Sequence, residues 1–278
     1  IPPSVMMLIY AIQADVSPAA MFLAGIVPGC LIGLILMITI YVQVALGYQD
    51  CPPPIKFSMQ RLIKTSKDGI LSLFAPLIIL WGMVSGVVTP TEAGVLAVFY
   101  SLLLGVIYRS FNWLIIRRAL VDTVKTSSLI LYIIAVSSVM AWVMVNEGTA
   151  NDIAEWLGNI TENPLILLVI INIFLLILGA ILETLPAMLI AVPVLLPAID
   201  ALGIDRVHFG IIVIFNLLIG IITPPMGIGL YILAAISEVK IDRLVVASLP
   251  YIVTLIIALL AITYIPILSL FLPEILLK

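Results

Sequence analysis

The chain has 278 residues, of which 64% are hydrophobic and only 10% are charged, and its formal net charge is −3. Because a soluble globular protein is about half apolar and about a quarter charged, this composition excludes a soluble enzyme and predicts an integral membrane protein in a lipid bilayer. No basic tract is present, which argues against nucleic acid as a partner, and the two cysteines and one histidine are too few for a zinc or iron–sulfur site.

Long apolar runs along the sequence predict membrane-spanning helices. The chain begins Ile1-Pro2-Pro3-Ser4, with no initiator methionine and no signal peptide, so we expect a fragment whose N-terminal part is missing. A spanning helix needs about 20 mostly apolar residues. Five runs qualify, the last with Pro250 and Pro266 as expected kinks: Ala19–Leu46, Gly69–Val88, Ala93–Tyr108, Ser127–Val145 and Leu244–Leu272.

Three further apolar runs are too short to span alone, namely Ala187–Ile199, Phe209–Ile222 and Met226–Ser237. Leu165–Ile199 is predicted to be a re-entrant hairpin whose tip is Glu183–Pro186. Phe209–Ser237 is predicted to be one spanning helix that is broken at Thr223-Pro224-Pro225.

The polar segments set the orientation. Asp50–Asp68 and Arg109–Lys125 each hold four Lys or Arg residues, whereas Asn146–Asn163 holds none and is acidic. The positive-inside rule places the first two in the cytoplasm and the third outside. Phe111–Val124 places apolar residues at helical spacing with basic residues on the opposite face, so it is expected to lie along the membrane interface. Trp156 is expected to be an external interfacial anchor.

An internal repeat is indicated by the prolines. Pro2, Pro3 and Pro28 recur as Pro224, Pro225 and Pro250 at a constant offset of 222 residues. The loop charges make the helix after Pro18 run inward and its counterpart Leu244–Leu272 run outward, so the copies are expected to be antiparallel. Inverted repeats built around broken helices are typical of secondary transporters, with ion and substrate sites near the midplane.

Few polar groups lie within the apolar segments. Of the acidic residues, only Glu92 and Glu183 fall at breaks; Glu92 is expected to cap the helix that follows it, and Glu183 is either an ion ligand or a surface residue. His208 is expected to be a solvated loop residue. Pro224 and Pro225 lack an N–H, so they are expected to release the carbonyls of Gly220 and Ile221.

These features predict a sodium site at the break. Oxygen ligands are expected from the carbonyls and from nearby side chains, and the hairpin tip is expected to complete the site; the ligand set is Asn216, Gly220, Ile221, Thr223, Glu183 and Thr184. Asn216 lies seven residues before Thr223, which is two turns on one helix face. The expected hinges and breaks are Pro2, Pro3, Pro186, Pro224, Pro225 and Gly227. Since no cation lies within the spans, an anionic substrate is expected to contact helix N-termini and the hydroxyls of Ser4, Thr184 and Thr223.

Four motifs are spread over essentially the whole chain: Gly86–Ala93, Leu182–Thr184 with Pro193 and Pro197, Asn216 with Gly220–Gly227, and Ile262–Pro266. In combination they resemble the motifs of the large membrane subunit of tripartite ATP-independent periplasmic (TRAP) transporters. The family often has Asp where this chain has Glu183. The family subunit is also longer than this chain.

The resemblance implies an all-α, multi-pass protein of the bacterial inner membrane: an inverted-repeat, elevator-type transporter with a re-entrant helical hairpin and broken transmembrane helices. It implies Na⁺-coupled import of a small organic anion, such as a C4-dicarboxylate or a sialic acid, with a small membrane subunit and a periplasmic substrate-binding protein as partners. No cofactor is expected besides Na⁺ as coupling ion. Residues 1–48 would end the first repeat, 49–163 would hold the cytoplasmic loop, scaffold helices and interfacial helix, and 164–278 would form the second repeat. On this scheme Gly69–Val145 is the scaffold, and Leu165–Ser237 moves with its first-repeat counterpart.

Three alternatives remain. A dicarboxylate or citrate symporter that needs no binding protein would share the inverted repeats. A channel should show a continuous polar stripe along several helices, whereas this chain has isolated breaks. An intramembrane enzyme would need a Ser/His or Asp/Asp pair at depth, and no such pair is visible.

Overall fold

The computed structural model describes residues 1–48, 57–148, 152 and 163–277. These residues form eleven α-helices and no strand, which confirms the all-α prediction. The helices are α1 Val5–Gln13, α2 Pro18–Ala45, α3 Met59–Val84, α4 Pro90–Ile107, α5 Trp113–Asn146, α6 Pro164–Ile181, α7 Thr184–Ala201, α8 Arg206–Gly220, α9 Ile228–Ser237, α10 Ile241–Tyr264 and α11 Ile267–Leu276.

Among the described residues, five helices are long and apolar enough to cross a membrane: α2, α4, α5, α7 and α10. The count becomes six if α3, which bends by 55° between Lys67 and Gly69, is one span. The prediction that the hairpin's second arm is too short was wrong, because α7 begins at Thr184 and has 18 residues. The last predicted span is divided, since α10 ends at Tyr264 and α11 begins after Pro266.

The two predicted interruptions of apolar helices are both present. α6 and α7 are separated only by Leu182 and Glu183. α8 and α9 are short apolar helices that are separated by the residues from Ile221 to Gly227. In each place a polar or proline-containing stretch ends a helix that the flanking residues would otherwise continue.

The predicted boundary between an interfacial helix and the following span is not observed. Trp113–Asn146 is one continuous helix, because no Gly or Pro interrupts it and the basic and apolar halves both favour helix. The predicted external anchor Trp156, most of the loop Asn146–Asn163, and Gln49–Lys56 of the cytoplasmic loop lie outside the described residues.

The chain divides into two compact units. One contains Ile1, Pro3–Tyr41 and Ile133–Lys278, and the other contains Pro2 and Val42–Tyr132. The division therefore passes through α2 and α5. The first unit brings the beginning of the chain together with the hairpin and the broken helix, which are more than a hundred residues away in sequence.

The predicted repeat has a local structural counterpart. Shifted by 222 residues, the start of α1 falls within one residue of the start of α9, and the start of α2 falls within one residue of the start of α10. Each copy therefore has a proline pair, a short helix and a long helix with an internal proline, Pro28 or Pro250. The antiparallel arrangement of the copies across a membrane stays a prediction.

A group of hydrogen bonds within the first unit fastens α1 to the end of α7 and the start of α8. The buried Tyr10 hydroxyl donates to the Arg206 carbonyl at 2.7 Å, and the Arg206 guanidinium donates to the Ala14 carbonyl at 3.0 Å. The same guanidinium forms a two-pronged ion pair with the Asp200 carboxylate at 2.8 and 2.7 Å. Gly210 faces the Tyr10 ring so closely that an added Cβ would lie 2.3 Å from a ring carbon.

Candidate functional site

The break between α8 and α9 is a tight turn whose backbone is largely paired. The Thr223 N–H donates to the Gly220 carbonyl at 3.0 Å, and the Gly229 N–H donates to the Ile221 carbonyl at 2.9 Å. The expectation that Pro224 and Pro225 leave these two carbonyls without donors was therefore wrong, because amides on either side of the proline pair replace the lost N–H groups. Each carbonyl keeps a second lone pair that can bind a cation.

The geometry of this break depends on glycine and proline. The Pro224–Pro225 peptide is cis, and Gly227 has a φ of +42°, in the left-handed region that disfavours residues with a side chain. α8 ends at Gly220, so Thr223 lies beyond the helix and not on one helix face with Asn216, as the spacing had suggested. The Thr223 hydroxyl donates to the Ile219 carbonyl at 2.8 Å, which leaves its oxygen lone pairs available.

The break packs against the end of the hairpin's first arm. An added Cβ at Gly220 would lie 2.3 Å from the Gly179 carbonyl carbon and 2.5 Å from its oxygen, so only glycine allows this approach. Beyond it, the Met226 N–H donates to the Ala180 carbonyl at 3.2 Å. The sequence predicted a contact with the tip at Glu183–Pro186, and these contacts lie three to four residues before that tip. Gly179 and Ala180 were not predicted as site residues.

The predicted hairpin-tip residues differ in their surroundings. Thr184 is buried, with 6% of its surface exposed, and its hydroxyl has no hydrogen-bond partner among the described residues. Glu183 is exposed and stands at the N-cap of α7 without a side-chain capping bond. Pro186 is half-buried in the first turn of α7. A buried hydroxyl without a partner is an unusual group that calls for a ligand or a structural reason.

The first-repeat residues lie at the start of α1. Ser4 is its N-cap, half-buried, without a side-chain capping bond. Pro2 is buried and Pro3 is exposed. No hydrogen bond within the described part of the chain joins Ser4 to Thr223 or Thr184.

A buried row of hydrogen-bonded polar side chains, called the polar chain below, lies beside the break, and the sequence did not predict it. The Asn216 amide nitrogen donates to the Asn172 carbonyl oxygen at 2.7 Å, and the Asn172 nitrogen donates to the Thr263 hydroxyl at 3.1 Å. His208 continues the polar chain, with Nε2 3.2 Å from the Thr263 carbonyl and Nδ1 2.6 Å from the Ser269 hydroxyl. At most 3% of each of these five residues is exposed.

His208 was therefore assigned wrongly to a solvated loop. It lies in the first turn of α8 and is 2% exposed. Because the Thr263 carbonyl can only accept, Nε2 must carry the hydrogen of that bond. Nδ1 shares a second hydrogen bond with the Ser269 hydroxyl, which also lies 3.2 Å from the Pro266 carbonyl. Its partners follow 55 and 61 residues later in the chain, so a local reading of the sequence could not find them.

Glu92, the second acid at a break, is a helix cap. Its carboxylate accepts from the Thr89 backbone N–H at 2.7 Å, and its own N–H donates to the Thr89 hydroxyl at 3.3 Å. This reciprocal pair is a capping box at the start of α4, and it confirms the interpretation of Glu92 as a cap.

Comparison with known proteins agrees with this architecture. The family model for the tripartite ATP-independent periplasmic transporter, DctM component, matches residues 1–268. The chain belongs to this family. The family is one of transporter components, and five helices among the described residues are long and apolar enough to cross a membrane, which agrees with the predicted multi-pass protein of the bacterial inner membrane.

Named relatives cover the chain almost completely. The sialic acid TRAP transporter large permease protein SiaM of Vibrio cholerae is 38% identical over 99% of this chain and 64% of its own length. The C4-dicarboxylate TRAP transporter large permease protein DctM of Pseudomonas aeruginosa is 35% identical, with the same two coverages. The uncharacterized protein YgiK of Salmonella typhimurium is 39% identical over 98% of this chain and 62% of its own length. The chain thus spans less than two thirds of the length of these relatives.

Proposed function

We propose that this chain is part of a large permease that imports a small organic anion across the inner membrane by secondary transport coupled to Na⁺. The observation that carries the proposal is the junction of two interrupted helices, where Gly220 lies against Gly179 and the Met226 N–H donates to the Ala180 carbonyl. Non-helical backbone at membrane depth is tolerated where it is buried in protein or lines a cavity, and such breaks hold ions and substrates in transporters.

The chemistry of this junction suits Na⁺. Its oxygen atoms come from the carbonyls of Gly220 and Ile221 and the hydroxyl of Thr223, which are neutral, hard ligands. Asn216 and Thr184 add buried oxygen atoms without donors, and Glu183 supplies the carboxylate of the hairpin tip. A site shared by the hairpin and the broken helix would couple ion to substrate, because a ligand shifts a conformational equilibrium only as far as its affinity differs between the two states.

The substrate class rests on the relatives. Their names give sialic acid, C4-dicarboxylates and 2,3-diketo-L-gulonate as transported compounds, and all of these carry a carboxylate. We propose Ser4, Thr184 and Thr223 as hydroxyls that contact the anion together with helix N-termini. A structure of the complete transporter with the substrate carboxylate paired to an Arg or Lys would contradict this part of the proposal.

A periplasmic binding protein and a small membrane subunit are the proposed partners. Leu165–Ser237 with its first-repeat counterpart is the proposed moving part of an elevator, and Gly69–Val145 is the proposed scaffold. Co-purification of the complete transporter from the inner membrane, with the binding protein added together with substrate, tests this arrangement. Full uptake without any binding protein would favour the binding-protein-independent symporter instead.

Uptake measurements test the ion coupling. A panel of labelled organic anions is presented to the complete transporter with and without a Na⁺ gradient, and we expect uptake of at least one carboxylate to require Na⁺. Thr223→Ala and Asn216→Ala should then raise the Na⁺ concentration for half-maximal uptake. Thr123→Ala is the matched control, because the Thr123 hydroxyl also donates to a carbonyl four residues earlier but lies on exposed α5. Unchanged Na⁺ dependence in both test variants would mean that the break is only a hinge and not a Na⁺ site.

A further inference from the structure

The orientation of the Asn216 side-chain amide is determined by its neighbours. Its nitrogen lies 2.9 Å from the Ile212 carbonyl and 2.7 Å from the Asn172 amide oxygen. A backbone carbonyl can only accept a hydrogen bond, so the atom facing Ile212 must carry hydrogen. Exchanging the oxygen and nitrogen of Asn216 would place two acceptors against each other.

The Asn216 amide oxygen is consequently turned to a place where no donor meets it. Asn216 is 0% exposed, and this oxygen has no hydrogen-bond partner among the described residues. A buried acceptor without a donor destabilises the folded protein, so a protein retains one for a reason.

The position of Asn216 relates this oxygen to the junction. Asn216 and Gly220 are four residues apart, which puts them one turn apart on one face of α8, about 6 Å along its axis. Both residues face α6, since Asn216 contacts Asn172 and Gly220 contacts Gly179. The side chain that carries the unpartnered oxygen is thus on the same helix face as the close glycine contact.

Asn172 is held in turn by Thr263. The Asn172 nitrogen donates to the Thr263 hydroxyl at 3.1 Å, which leaves its oxygen directed at Asn216. Thr263 is 1% exposed and lies in the last turn of α10. Thr263 of α10 therefore holds the Asn172 amide of α6, and Asn172 in turn holds the Asn216 amide of α8. His208 and Ser269 join the polar chain at the Thr263 backbone carbonyl and not at its hydroxyl.

We propose that Asn172 is a positioning residue, supported by Thr263, that holds the Asn216 amide with its oxygen presented to the coupling cation. The proposal rests on the Na⁺ coupling proposed above and adds to it two residues that make no contact with the ion. Residues that orient a metal ligand commonly change affinity by 10–100-fold when they are replaced.

The test is the Na⁺ dependence of uptake by the complete transporter in proteoliposomes. Asn172→Leu keeps the approximate shape of the side chain but removes the acceptor for Asn216, and should raise the half-maximal Na⁺ concentration about tenfold. Thr263→Val removes only the hydroxyl and should raise it roughly threefold, because it acts one hydrogen bond further away. Thr263→Ser should restore the original value. Ser269→Ala is the control, a buried hydroxyl at the far end of the polar chain.

Two readouts separate positioning from a general loss of structure. The half-saturating concentration of the organic anion at saturating Na⁺ should stay within about twofold in all variants, and Na⁺ should raise the melting temperature of Asn172→Leu less than that of the unmodified protein at equal concentration. If Asn172→Leu does not insert into the membrane, the proposal is tested by comparing the half-maximal Na⁺ concentration of Thr263→Val with that of Thr263→Ser.

Two results would overturn the inference. A lower maximal rate with an unchanged Na⁺ requirement in Asn172→Leu and Thr263→Val would make the polar chain merely structural, while the proposed coupling would stand. Na⁺-independent uptake by the unmodified transporter would remove the proposed coupling and this inference together.

Discussion

The hairpin and broken-helix region and the α3–α4 region are both rich in apolar residues, but these residues are largely buried in the first region and largely exposed in the second. In the former, large side chains such as Leu175, Ile199 and Ile212 are fully buried. Between residues 42 and 132, only Gln43, Gly82, Met83 and Ala93 are buried among the residues that the structure describes. Large apolar side chains there stand exposed, including Phe99 at 74%.

This difference distinguishes a region with its own core from one that depends on its environment. Around α6, α7 and α8, glycines allow close approach of helices, and the buried Asn216 amide donates to the Asn172 amide, as in the interiors of helical membrane proteins. Around α3 and α4, the apolar surface matches lipid or the surface of another subunit. Replacing buried residues should therefore be costly in the first region, and replacing exposed apolar residues should be well tolerated in the second. Four predictions test or sharpen that contrast.

The largest effect is expected from Gly220→Ala. The added methyl group would meet backbone atoms of Gly179 at 2.3–2.6 Å, and backbone cannot move aside as a flexible side chain can. We expect a loss of about 3 kcal/mol in the free energy of unfolding, at the upper end for overpacked sites, together with a loss of uptake. Thermal unfolding in detergent and uptake in proteoliposomes measure the two effects.

Gly94→Ala in α4 is the matched control, since an added Cβ there meets nothing within 4 Å. It should be neutral or slightly stabilising, because alanine favours helix over glycine. Equal losses in both variants would abolish the contrast between the two regions.

His208→Ala should have the second largest effect. It removes the partner of the buried Thr263 carbonyl and one of the two partners of the Ser269 hydroxyl, which also bonds the Pro266 carbonyl, and we expect a loss of about 2 kcal/mol from the unsatisfied carbonyl and lost packing. The melting temperature in detergent is the measurement. Phe99→Ala, which removes a larger but exposed ring, should change it little; a greater loss for Phe99→Ala would show that the α3–α4 region has a core of its own.

Thr89→Ala should have a smaller effect, of about 1 kcal/mol, because it removes one half of the capping box that begins α4. Thr89→Ser keeps the hydroxyl and should retain most of the stability. Glu92→Gln provides a further check on the role of this acid. If Glu92→Gln changed the Na⁺ requirement for uptake while thermal stability was kept, Glu92 would be an ion ligand as well as a cap.

The smallest effect is expected for Asp200→Asn. The ion pair with Arg206 is about 40% exposed on both sides, and such pairs contribute little. We expect the melting temperature to fall by about 1 °C, and by less at high salt, because salt screens exposed charges. A large, salt-independent fall would indicate that Asp200 acts mainly by holding Arg206 against the Ala14 carbonyl.

The sequence predicted the interruptions of helices well, because each has a local cause. The proline pair after Thr223 and the polar tip at Glu183 end a helix locally, whereas single prolines such as Pro28 and Pro250 lie inside continuous helices. Thr89 with Glu92 forms a cap from residues three positions apart. The prediction of two helices in place of α5 was wrong because the expected boundary has no such local cause. A change from an amphipathic to an apolar pattern does not end a helix when no breaker is present.

The contacts that build the site could not be predicted, because they join distant residues. Nothing near Gly220 indicates that Gly179 will lie against it, and nothing near Asn216 indicates Asn172. The donors that replace those lost at Pro224 and Pro225 come from Thr223 and Gly229, and that pairing depends on the path of the turn. Sequence reasoning therefore located the junction but assigned to it two carbonyls that are already paired.

The fastening of α1 by Tyr10 has a consequence for the synthesis of the protein. The Tyr10 hydroxyl donates to a carbonyl 196 residues later in the chain, and its ring fills the space that Gly210 leaves open. At about 5–20 residues per second, a ribosome needs about 10–40 s to deliver that partner after Tyr10 has been made. During this interval α1, a helix of nine residues that is too short to cross a bilayer, has to wait without its packing surface. Delivery of α8 to the nascent chain is therefore the event that completes the placement of α1.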